Sequence, residues 1–210
     1  MKKPVLLTTC LLSILLGCGS DKDEFEEEKA REEEINQETQ GSYETFLVPV
    51  NTETAGSTVG SFMIRIQGDE VRVRGEVENS PNTFHKQFLH TGSACPGPGA
   101  DTDLDGVVSF EESLQITGPA LIPLDQNLSS QTAGYVFPVA RAMGAYTYFE
   151  ITSLTLMMND LHREDSVPTD ALVKLSPEED LSLVGKTIVI YGVPGNSSVP
   201  VACGTIRRKL

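Results

Sequence analysis

Tryptophan is absent, histidine occurs three times, and acidic residues outnumber basic ones by 30 to 16. Each shortage removes a class of function. A formal charge of −14 leaves no basic footprint for phosphates, so nucleic acid is excluded as a partner. With so few histidines and no G-x-S-x-G, a Ser-His-Asp triad has few members to draw on. The G-K-T at Gly185–Thr187 lacks the glycine that a phosphate-binding loop needs five positions earlier, where Asp180 stands. Glu178 and Glu179 are paired acids in a polar turn and define no hydrolase. Past Leu16 there is no second long apolar run and no internal repeat.

What is present begins with an address. Lys2 and Lys3 precede the apolar run V-L-L-T-T-C-L-L-S-I-L-L, which is too short to remain as a membrane span and reads as a secretory signal. It ends in L-L-G-C, which resembles the bacterial lipobox; the resemblance implies cleavage before Cys18 and a lipid on its sulfur. Gly19 in the next position suits outer-membrane sorting, so the expected location is the bacterial cell envelope, anchored through lipid. From Asp21 to Glu34 nine acids and three bases follow, with too little apolar surface to offset ordering entropy. The expected organisation is a signal peptide over 1–17, a lipidated acidic tether over 18–42, and one domain over 43–210.

Within the domain, F-L-V-P-V, S-F-M-I-R-I-Q and E-V-R-V-R-G-E-V alternate with period two, and Gly68-Asp69 marks a tight hairpin between the last two. Y-T-Y-F-E-I-T-S-L-T-L, A-L-V-K-L and K-T-I-V-I-Y-G read as further strands. Helix is scarce, with E-E-S-L-Q-I the one persuasive short case. Cys10 leaves with the signal and Cys18 takes the lipid. Cys95 and Cys203 remain, as a cystine or as two buried thiols, and the oxidising setting favours the cystine.

V-R-V-R-G-E-V, the stretch running to F-H-K-Q-F-L-H, S-L-V-G-K-T-I-V-I-Y-G and V-A-C-G-T-I together resemble the copper/zinc superoxide dismutase family in layout. The resemblance implies an all-β, Greek-key β-sandwich or barrel, and it puts Cys95 and Cys203 at that family's intrachain disulfide. It also implies a copper site that this chain has largely lost. Phe88 replaces the first copper histidine, His90 keeps the second, and Tyr191 stands at the last. The loop after Cys95 holds no histidine, so the bridging and zinc ligands are missing. His85 matches a family histidine that serves structure through hydrogen bonds. His162, beside Glu164 and Asp165, reads as a surface residue. One histidine and a phenol cannot hold copper through two oxidation states.

The loop after Cys95 carries something else. D-T-D-L-D-G-V-V-S-F-E-E, from Asp101 to Glu112, matches the EF-hand-type calcium pattern D-x-[DN]-x-[DN]-G-x5-E throughout. Asp101, Asp103 and Asp105 offer side-chain oxygens, Val107 its carbonyl, Ser109 a direct or water-mediated contact, and Glu112 both carboxylate oxygens. Gly106 permits the sharp turn and Val108 is an apolar anchor. C-P-G-P-G-A stands where an EF-hand would place its first helix. The expectation is that Ca²⁺ organises the loop where the resembled family uses zinc. The sequence therefore describes a lipid-anchored exported protein with a structural or interaction role and an unidentified protein or glycan partner. The alternative is a copper-dependent redox protein with a site rebuilt around His85, His90 and Tyr191.

Overall fold

The computed structural model describes residues 40–129, 136–141, 143–162, 175 and 181–210. The signal, Cys18, the tether up to residue 39, Glu164, Asp165, Glu178, Glu179 and most of A-L-V-K-L lie outside these. The described residues all fall in the unit Asn36–Leu210.

The alternating stretches become strands β1 (Gly41–Pro49), β2 (Val59–Gln67) and β3 (Glu70–Glu78). In β3, Val71, Val73 and Val77 are buried while Arg72, Arg74 and Glu76 face water. Each valine buried contributes on the order of 1.5–3 kcal/mol relative to exposure. The β2–β3 turn is the two-residue Gly68-Asp69 link, with Gly68 at φ 58° and Gln67 paired to Glu70. A side chain at Gly68 would be strained there.

The remaining strands are β4 (Lys86–His90), β5 (Ala120–Pro123), β6 (Tyr146–Ser153), β7 (Thr187–Val193), β8 (Asn196–Thr205) and the short β9 (Arg207–Arg208). All pairings are antiparallel, and the order is β5-β4-β7-β8-β1-β2-β3-β6, with β9 beside β1. The sheet curls into a half-barrel. Its two halves, β5-β4-β7-β8 and β1-β2-β3-β6, meet at a seam of two residue pairs, Val48 with Cys203 and Pro49 with Ala202. Cys95 and Cys203 are joined in a disulfide with Cα atoms 5.6 Å apart.

Three short helices complete the described fold: α1 (Thr52–Ala55), α2 (Phe110–Thr117) and α3 (Leu154–His162). The strand expected through Leu156 stops at Ser153. Asp69 ends it: its carbonyl accepts from Leu154 N at 2.7 Å, and its carboxylate from Thr155 N at 2.8 Å and Ser153 Oγ at 2.6 Å. The hairpin turn thus supplies the acceptors that open a helix. Leu154, Met157 and Leu161 then recur at helical spacing and are buried.

The curled sheet has two apolar faces. The concave one holds the main core, including Phe62, Val73, Leu89, Leu121, Ile188 and Ile190. On the other side of β4, β7 and β8 a smaller cluster gathers Phe88, Phe137, Val189, Tyr191 and Cys203, with Cys95 and Phe110 packed against it. The candidate site sits over this second face.

Candidate functional site

The loop from Asp101 leaves a 3-10 turn (Pro98–Ala100) and enters α2, so the resolved geometry has one helix after the loop and none before it. Carboxylate oxygens of Asp101, Asp103 and Asp105 lie within 4.8 Å of one another. Loop amides orient them. Gly106 N donates to Asp101 Oδ2 at 2.9 Å, Asp105 N to Asp103 Oδ1 at 3.2 Å, and Val107 N to Asp105 Oδ1 at 2.7 Å. Gly106 has φ 88° and Leu104 φ 61°, so the turn bends through the left-handed region twice, once without glycine. Asp103 and Asp105 are exposed and Asp101 half-buried. All the donors are oxygens, which suit a hard cation such as Ca²⁺.

Glu112 does not join that trio. It is buried and folded back on the loop, with Oε1 accepting from Thr102 N at 2.6 Å and Thr102 Oγ1 at 2.7 Å. Its Oε2 accepts from Ser109 N at 2.8 Å, while Ser109 Oγ receives Glu112 N at 3.3 Å. This is a complete capping box at the start of α2. These hydrogen bonds, that from Ser109 N foremost and then those from Thr102, hold the Glu112 pKa down at about 2. One carboxylate therefore ties the first turn of the loop to the helix that ends it.

The loop is mounted on the barrel at three places. Before it, the Cys95–Cys203 disulfide attaches it to β8. In its middle, buried Val108 exchanges backbone hydrogen bonds with the amide of Asn51, just beyond β1. After it, α2 lies against the second apolar face, with Phe110 edge-on to Tyr191 at 5.5 Å. Ser113 and Thr117, one helical turn apart on α2, are fully buried, and Thr117 Oγ1 lies 3.5 Å from His90 Nδ1.

Tyr191 Oη also lies 3.0 Å from His90 Nε2, and His90 Nδ1 lies 2.8 Å from the Gly118 carbonyl. A carbonyl only accepts, so Nδ1 carries the proton and the phenol donates to Nε2. Burial pushes the His90 pKa down to about 4 and raises that of Tyr191. The pair is a neutral donor–acceptor contact near neutral pH. Phe88 packs edge-on to His90, with ring centroids 6.2 Å apart.

His85 is elsewhere. Its Nε2 faces Ser80 Oγ at 2.7 Å and the Pro81 carbonyl at 2.9 Å, its Nδ1 faces the Tyr191 carbonyl at 3.2 Å, and its ring stacks on Tyr146. Burial lowers its pKa as well. His85 and His90 thus reach Tyr191 at opposite ends, backbone and hydroxyl. Neither imidazole offers an unengaged nitrogen, and the three residues do not converge on one point. His162 is the last residue of α3.

Sequence reasoning missed Asn51, Thr102, Ser113 and Thr117. Only the Ser113–Thr117 spacing, on one face of a short helix, carried a signal. No long apolar helix able to cross a membrane occurs among the described residues. No protein-family model matches the chain, and no curated protein matches it.

Proposed function

We propose that this is a lipid-anchored, exported protein of the superoxide dismutase-like kind, whose one calcium-ordered loop serves a structural or interaction role rather than catalysis. Its membrane contact is the lipid on Cys18, and its partner is an unidentified envelope protein or glycan. The strand order supports the fold reading, because successive strands leave one half of the sheet for the other at β3–β4, β5–β6 and β6–β7, as Greek-key connections do. The disulfide between Cys95 and Cys203 is where the resemblance puts it.

The observation that carries the calcium reading is the convergence of Asp101, Asp103 and Asp105 within 4.8 Å on a turn fastened to the barrel on both sides. Without a cation, three such carboxylates repel one another; a hard divalent ion relieves that and completes its shell with Val107, Ser109 and Glu112, the last giving up its hydrogen bonds to Thr102 and Ser109 to do so. The engaged nitrogens of His85 and His90 favour this over the copper reading. A single loop belongs to the weak range, with Kd ~10⁻⁴–10⁻³ M. Calorimetric titration of the purified protein tests it: heat and a rise in Tm are expected across that range. The absence of both signals at ~10 mM calcium would reject it.

A further inference from the structure

Asn51 stands outside the calcium motif, yet among the described residues its amide is the one side chain from outside the loop that grips Val108. Its Oδ1 accepts from Val108 N at 2.8 Å, and its Nδ2 donates to Val108 O at 2.9 Å and to Pro200 O at 2.9 Å. Asn51 is buried, and so is Val108. Both backbone groups of one loop residue are therefore matched by one rigid amide, which is itself fixed to β8.

Val108 lies between two ligand positions. The peptide groups that carry the Val107 carbonyl and lead into Ser109 are the two that flank it, so fixing the N–H and C=O of Val108 fixes the direction of both. Ser109 is also the cap of α2, through which Glu112 is held. We propose that Asn51 is a positioning residue for the calcium loop: it pre-orients the Val107 carbonyl and Ser109, and couples calcium occupancy to the β1–β8 seam. This rests on the calcium reading above. Groups that orient metal ligands from outside the coordination shell typically govern affinity by ~10–100-fold.

The test uses calcium itself, titrated by calorimetry into the purified full-length protein. Asn51→Ala removes the amide, and an ~10-fold weaker Kd is expected. Gly75→Ala serves as the comparison: an added methyl there meets the Phe62 ring at 2.5 Å, in the main core and away from the loop. That variant loses stability and keeps its calcium affinity.

If Asn51→Ala binds as the unmodified protein does, or if Gly75→Ala loses affinity equally, the coupling is overturned while the calcium reading stands. If the unmodified protein does not bind calcium, both fall. Should Asn51→Ala fail to fold, exchange of the Val108 amide in the unmodified protein decides the matter. Coupling is reciprocal, so calcium at saturation slows that exchange by about the same factor. An unchanged exchange rate overturns the proposal.

Discussion

The Tyr191 hydroxyl donates to His90 Nε2 across 3.0 Å in a site from which solvent is excluded. His90 Nδ1 in turn donates to the carbonyl of Gly118, the residue that caps the end of α2, at 2.8 Å. Two strands and the helix that follows the Asp101–Glu112 loop are therefore joined through one imidazole, and that junction needs it uncharged.

Acid breaks it. The His90 pKa falls from 6.5 in the unfolded chain to about 4 in the fold, because burial disfavours the cation. Between those values the unfolded state binds more protons, so stability rises with pH through the window and is lost as pH falls from 6.5 towards 4. The loss is on the order of 3 kcal/mol, and the depressed His85 adds to it in the same direction. Urea denaturation at a series of pH values measures this. His90→Gln should flatten the slope; an unchanged slope would show that the burial of His90 is not its source.

The Cys95–Cys203 link closes 108 residues of chain. Reduction, or the double change Cys95→Ser with Cys203→Ser, should cost about 2–5 kcal/mol. It should also weaken calcium binding, since the chain entering the loop loses its anchor on β8. Thermal unfolding and calcium titration with and without reductant report both, and identical curves would contradict the first.

Gly75 lies against Phe62, whose ring is 6.1 Å from that of Tyr148. A methyl group at this point has nowhere to go without moving the ring. Gly75→Ala should destabilise by about 1–3 kcal/mol. An equal or higher denaturation midpoint would show that the ring yields freely.

Metal content separates the two functional readings. Protein isolated from its native compartment should carry less than one copper per chain and show no superoxide dismutation above background. Stoichiometric copper together with activity would overturn the non-catalytic reading.

The strands were legible wherever one face is wet: Arg72, Arg74 and Glu76 mark β3 because each stands between buried residues. β5 was not legible. Its four residues are all buried, so it has neither alternation nor the length and β-branched run that marked the equally buried β7. α3 was hidden for another reason, since the acceptors that start it sit on Asp69, far away in sequence. At the candidate site, the aspartates and the glycine could be read from spacing alone. Asn51 could not, because its grip on Val108 spans 57 positions and relies on an amide that looks like any loop asparagine.

Only two residue pairs of ladder stitch β1 to β8. Beyond that ladder the joint is carried on by Val50 N, which donates to the Val201 carbonyl, and by the Asn51 amide, which donates to that of Pro200, while the cystine holds the neighbouring loop to β8. The cystine answers to redox poise and, on the proposal that Asn51 couples the loop to the seam, the amide answers to dissolved calcium. On that proposal a compartment both oxidising and calcium-rich would fix the loop and the joint it grips, and a reducing, calcium-poor one would loosen both, giving the molecule a rigidity that depends on where it has been delivered.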